Sequence, residues 1–185
     1  MQYGDLAAYF RVWLQKLLPE ESQQGLVWEY RGDASAAAIP KSKKGLSFDD
    51  SYLAQLSSIF SECQRVMRSD TGRLIFTFHH WKAVAWAVLT LALRNSEFAL
   101  ANYYVAYSEN PISVHIANLR SLKHDAILVL AHKSSHSGQE WSLLKVVNTS
   151  ESKECCANCA QILGALLSST LSALEVLSVW EERLA

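Results

Sequence analysis

The stretch "RLIFTFHHWKAVAWAVLTLAL", residues 73 to 93, constrains this chain more than any other. "RLIFTF" is short, apolar and preceded by the turn-forming "SDTG" at 69 to 72, so it reads as a buried strand. Residues 82 to 94 are apolar nearly all round a helical projection, which reads as a buried helix. A strand and a buried helix need a layered fold to cover both, and His79 and His80 form the joint between them. Three roles are open for the pair: a metal site, a general base, or only the polar start of a helix.

The elements around this joint follow from periodicity. Asp5 caps a helix whose stripe is Leu6, Phe10, Trp13, Leu14, Leu17 and Leu18, and Pro19 stops it. Residues 31 to 47, "RGDASAAAIPKSKKGLS", read as a mobile loop. A second helix opens at Asp49 or Asp50 and carries Leu53, Leu56, Phe60, Cys63 and Met67 at helical steps. "FALANYYVAY" at 98 to 107 and "DAILVLAH" at 125 to 132 read as strands, linked by a long loop without a helical pattern. That linkage predicts an antiparallel pair at a sheet edge. A last helical pattern covers about 157 to 183, with Leu163, Leu166, Leu167, Leu174, Leu177 and Trp180 as its stripe. The expectation is an α/β domain of about three strands, buried on both faces, with helices on both faces and an extra C-terminal helix.

With 185 residues, one domain with a real core is expected. A net charge of −1 gives no bulk attraction to nucleic acid or membrane. "CCANC" is not a disulfide framework, and "MQYGDLAAYF" lacks the order of a signal peptide, so a reducing cytoplasm is expected. Residues 155 to 174 carry no charge over about one bilayer thickness of helix. Their Asn158, Gln161 and serines favour a buried or partner-facing helix over a membrane span.

One zinc set is conceivable. His132 and His136 are spaced H-x3-H, and Cys156 and Cys159 are C-x2-C. The cysteines lie near a helix start, where small buried thiols are the simpler reading, so no metal is assigned. Arg31, Lys41, Lys43 and Lys44 lie in the loop and could touch DNA phosphates or remain a solvated basic segment. Trp86 reads as core, and Trp81 as core or as the rim of a pocket.

Several segments resemble one family in the right order. "RLIFTFHHWKAVAWAVLTLAL" and "FALANYYVAYSENPISVHIANLRSLKHDAILVLA" look like the C-terminal half of the amino-group DNA methyltransferases. The nearest likeness is to the large adenine-specific DNA methylases that carry a zinc-ribbon region. "YGDLAAYFRVWLQKLL" is similar to their segment just after the catalytic Asp-Pro-Pro-Tyr. The resemblance covers about residues 2 to 133 and leaves 134 to 185 as an unassigned extension of the same domain. It implies a Rossmann-like methyltransferase domain, S-adenosylmethionine as cofactor and DNA as partner. It also implies that His79, His80 and Trp81, the loop residues Ser108, Glu109 and Asn110, and Tyr3 and Asp5 line the pocket.

Two parts of such an enzyme are missing from this sequence. None of the seven glycines forms the G-x-G turn that lets backbone approach the cofactor. No Asp-Pro-Pro-Tyr is present; Asn110-Pro111-Ile112 lacks the second proline and the aromatic residue. In the family, the strand that carries this motif pairs with the strand equivalent to "RLIFTF". The expectation is therefore a fragment or subunit supplying the target-side half, inactive alone, with no catalytic residue assigned. Its exposed strand edge would pair with a second copy or a complementing methyltransferase chain. The alternative is a non-catalytic interaction module that reuses the fold.

Overall fold

The computed structural model describes residues 12–23, 50–107, 123–136, 139–143 and 151–184. The chain divides into two units, Met1–Gln55 and Leu56–Ala185. In the first, residues 12–17 are helical and the helix ends before Pro19, as its missing N–H requires. A short helix, Glu20–Gln23, follows, and the Gln23 amide donates to the carbonyls of Gln15 and Leu18 at 2.9 and 2.7 Å.

The second unit holds the sheet. The elements in chain order are α1 (Asp50–Val66, begun in the first unit), β1 (Leu74–Phe78), α2 (Ala83–Asn95), β2 (Phe98–Tyr107), β3 (His124–His132), α3 (Ser152–Leu167) and α4 (Ala173–Arg183). The strand positions agree with the sequence reading to within a residue. The sheet order is β1-β3-β2, with β3 antiparallel to both neighbours. β1 and β2 therefore run parallel, joined through α2, and β3 fills the gap between them. The expected antiparallel pair of β2 and β3 forms, but β3 is central, so β1 and β2 are the two edges.

Register decides which residues face the core. Leu74, Phe76 and Phe78 of β1 pair with Leu130, Leu128 and Ala126 of β3. Phe98, Leu100 and Tyr103 of β2 pair with His132, Leu130 and Leu128, across an irregularity between Leu100 and Asn102. Phe60 of α1 stacks on Phe76 at 5.6 Å and meets Phe98 edge-on at 6.3 Å. Trp86 of α2 meets Phe78 edge-on at 4.7 Å. Gln161 of α3 donates to the Tyr103 hydroxyl at 3.0 Å. These contacts all lie on one face of the sheet.

The opposite face carries Ile75, Thr77, Tyr104, Ile127 and Val129 by the same register. Ile75 and Tyr104 are each 58% exposed. The expectation of strands buried on both faces, with helices on both faces, is thus corrected among the described residues. The burial of β1 alternates along its length instead of being continuous. The sequence could mislead here because Ile75, Ile127 and Val129 are apolar although they face outward.

α2 is buried without interruption from Ala85 to Leu93, as its all-round apolar sequence requires. α4 covers its outer side. Trp180 stacks on Trp86 at 5.2 Å, and its indole N–H donates to Thr90 Oγ1 at 3.0 Å. Thr90 Oγ1 in turn donates to the Trp86 carbonyl at 2.7 Å, so this buried polar chain is closed. Arg94 reaches over to the Leu171 carbonyl at 2.7 Å.

The single helix expected over 157–183 is two helices. α3 stops at Leu167 and α4 begins after Ser172, whose side chain and that of Glu175 form a reciprocal capping box. The Ser172 hydrogen bonds hold the Glu175 carboxyl below its usual range. Among the described residues, no helix is long and apolar enough to cross a membrane.

Candidate functional site

Because β1 and β2 are parallel, their carboxyl ends lie at the same end of the sheet. Tyr107 pairs with His124 and Phe78 with Ala126, so His79, Tyr107, His124 and Asp125 gather there. In open α/β sheets this end is where ligands bind.

His79 leaves β1 and its Nδ1 is hydrogen-bonded to Asp125 Oδ1. A carboxylate only accepts, so Nδ1 carries the proton and Nε2 is left as an acceptor. The His79 side chain is 39% exposed. His80 has the opposite arrangement. Its Nδ1 accepts from the Lys82 backbone N–H at 2.9 Å, which puts the proton on Nε2. Burial, followed by the charges of Lys82 and His79, holds the His80 imidazole below its ordinary pKa. The His80 carbonyl accepts the Trp86 indole N–H at 2.9 Å, anchoring the joint to the core. Lys82 is the extended residue before α2, so the two histidines do form a strand-to-helix joint. They present one proton acceptor and one donor at it. Trp81, beside them, is 44% exposed.

β3 and α3 supply residues that the sequence reading treated only as structure. Asp125 opened a strand pattern, and only the fold brings it to His79, 46 residues earlier. His124 Nδ1 meets Ser152 Oγ at 3.0 Å, and its ring lies 4.4 Å from that of Tyr107. No local signal joins these residues, because strand register is a long-range property.

The cysteines of α3 are buried among core residues. Cys156 donates to the His124 carbonyl at 3.1 Å. Its thiol is pushed up to about 12, by burial first and then by Cys155 and Asp125. A hydrogen bond between the two thiols, and then burial, raise the Cys159 thiol as well; the same hydrogen bond lowers that of Cys155, against the opposing effect of burial. Both thiols are thereby held in the protonated form.

The conceivable zinc set does not come together. Cys156 sits at the His124 end of β3, and His132 at the other end, about 27 Å along the strand. His132 is buried, with Nδ1 meeting the Gln64 amide at 2.9 Å and Nε2 the Met67 carbonyl at 3.4 Å. His136 follows the turn Lys133–Ser135 beyond that same end. Among the described residues, no three His, Cys, Asp or Glu side chains form a metal cluster.

Of the other sequence-predicted residues, Tyr3, Asp5, Arg31, Lys41, Lys43, Lys44, Ser108, Glu109 and Asn110 lie outside the described residues. The Ser108–Asn110 segment directly follows Tyr107 in the chain. The site thus offers an oriented imidazole acceptor, an imidazole donor and aromatic surface, with no activated nucleophile among the described residues. Such a set suits binding and positioning more than covalent chemistry. No protein-family model, curated protein or solved structure matches the chain.

Proposed function

We propose that this chain is the target-side half of a Rossmann-like, S-adenosylmethionine-dependent DNA amino-methyltransferase, acting on adenine N6 or cytosine N4. The observation that carries the reading is the place of β1. Its outer edge is unpaired among the described residues, on a strand that ends in His79 and His80. In the family that the sequence resembles, the catalytic Asp-Pro-Pro-Tyr strand pairs with this edge. β1 has no charge, proline or bulge to discourage pairing. A complementing chain would bring the glycine-rich turn, the cofactor and the catalytic motif. His79, His80 and Trp81 would then line the far wall of the pocket, with Ser108, Glu109 and Asn110 beside them. A reducing cytoplasm suits the four free thiols.

Alone, the chain does not position both methyl donor and amine, so it is inactive. Calorimetric titration with S-adenosylmethionine tests this: no binding is expected, and micromolar binding would refute the missing-pocket account. A chain carrying the glycine-rich turn and Asp-Pro-Pro-Tyr, mixed with this one, should restore methylation. Thr77→Lys, which puts a charge on the β1 edge, should abolish that rescue.

A second reading is an interaction module without catalysis. The open apolar face around Ile75, Tyr104, Ile127 and Val129 favours it, because exposed contiguous apolar surface marks contact sites. Light scattering bears on both readings. Self-association that Thr77→Lys removes would place a second copy on the β1 edge and favour the module.

A further inference from the structure

Three of the four cysteines lie within five residues of α3, and all three are buried: Cys155 is 6% exposed, Cys156 and Cys159 1% each. Helical geometry divides them. Cys155 and Cys159 are four residues apart, one turn above the other on the same face, and their thiols share a hydrogen bond. Cys156 is turned about 100° away from Cys155 around the helix. Its thiol is engaged elsewhere, on the His124 carbonyl at 3.1 Å.

The spacing limits what the pair can do. Cβ atoms four residues apart on a helix are about 5–6 Å from each other. A disulfide needs about 3.5–4.5 Å, so forming one would bend α3, which runs unbroken from Ser152 to Leu167. A structural zinc ion or an iron–sulfur cluster asks for four ligands. Among the described residues, no third His, Cys, Asp or Glu joins the pair. Two thiols alone satisfy a soft cation that takes its two ligands in a line. With metal–sulfur bonds of about 2.3 Å, such an ion holds its sulfurs about 4.6 Å apart, close to the separation of hydrogen-bonded sulfurs. Monovalent copper is the soft first-row ion that thiolates select and that needs no further ligand.

We infer that Cys155 and Cys159 of α3 form a two-thiol site for monovalent copper, bound in a line between their sulfurs. Binding forms two copper–sulfur bonds and releases both thiol protons to water, so the bound unit carries one negative charge. A coordinating thiol is deprotonated outright by its cation, so the protonated resting state of Cys159 does not bar the site. Cys155 closes the first turn of α3, its N–H donating to the Glu151 carbonyl at 3.3 Å, and the helix dipole there favours negative charge. Burial of both thiols keeps water and further ligands from the ion. The site requires neither DNA nor methyl transfer.

The test uses the full chain, reduced, free of oxygen and of added thiol, with monovalent copper presented as its coloured bicinchoninate complex. Loss of that colour should show one copper taken up per chain. Cys155→Ala and Cys159→Ala should each weaken uptake about tenfold or more, since losing a ligand costs at least as much as losing its outer-shell support. Cys156→Ala and Cys63→Ala are the controls and should leave uptake unchanged. X-ray absorption of the copper-loaded parent needs no variant to fold, and should show two sulfur neighbours and no nitrogen. Zinc offered to the same chain should not bind. The inference falls if the parent draws no copper, or if either control costs as much as Cys159→Ala. It also falls if the absorption shows three sulfurs or a nitrogen ligand, or if zinc is held as tightly as copper. The methyltransferase reading is judged separately by S-adenosylmethionine binding and rescue, so either can fail while the other stands.

Discussion

Two histidines mark opposite ends of the sheet. His132 closes β3 and His79 follows β1. Both terminate apolar strands, yet their surroundings differ. The His132 ring is buried and both of its nitrogens are used, one by the Gln64 amide and the other by the Met67 carbonyl. If the amide donates to Nδ1, then Nε2 donates to the carbonyl, and the neutral ring is fully satisfied. The His79 ring has one nitrogen held by Asp125 and stands partly in solvent. A histidine whose two nitrogens are consumed by the protein is a packing element. One that is oriented by a carboxylate, with its second nitrogen left over, is equipped to meet a ligand.

The comparison is broken most directly at the rigid end. His132→Ala removes a buried ring and orphans the Met67 carbonyl, so a loss of about 2–4 kcal/mol is expected in urea unfolding. Gly164→Ala is the next largest. A Cβ there would lie 2.5 Å from Trp141 Cγ, and that indole donates to the Leu100 carbonyl at 3.1 Å. Displacing it should cost about 1–3 kcal/mol, read as a lower unfolding midpoint at unchanged slope. His79→Ala, at the other end, removes a partly exposed hydrogen bond to Asp125 and should cost less than about 1 kcal/mol. If His79→Ala proves as damaging as His132→Ala, the two ends do not differ as argued.

The same contrast explains what could be read in advance. Strands 74–78 and 98–107 were legible because their apolar, aromatic and β-branched runs end at turns. The burial of α2 was legible because no polar stripe interrupts it. The break between α3 and α4 was available in "SALE", a capping-box pattern at 172–175, but the leucine stripe on both sides outweighed it. The strand order β1-β3-β2 was not legible, since pairing between β1 and β3 joins segments about 50 residues apart through register alone. For the site, His79, His80 and Trp81 stood out locally as the joint after a strand. Asp125, His124 and Ser152 did not: Asp125 opened an ordinary strand pattern, His124 ended the loop before it, and Ser152 lay ahead of the last helical pattern. Their roles come from β3 running between β1 and β2, with its first residues at the carboxyl ends of both.

The smallest expected effect concerns His80, which lies between these extremes: half-buried, with one nitrogen taken by the Lys82 backbone. Its pKa is lowered in the folded protein by burial, then by Lys82 and His79, relative to the ordinary 6.5. The unfolded chain therefore takes up the proton first as pH falls. The stability associated with a neutral His80 is complete above about pH 6.5 and declines as pH drops below it, levelling off beneath the folded-state pKa. His80→Asn keeps an acceptor for the Lys82 N–H while removing the titration. Between about pH 7 and pH 5, urea midpoints of the variant should then fall less steeply than those of the parent. His79 and Asp125 remain in both proteins, so the comparison isolates His80 to first order. Parallel pH curves would mean that His80 is as solvated in the folded chain as in the unfolded one. The joint would then be an exposed hinge, not a surface anchored through Trp86.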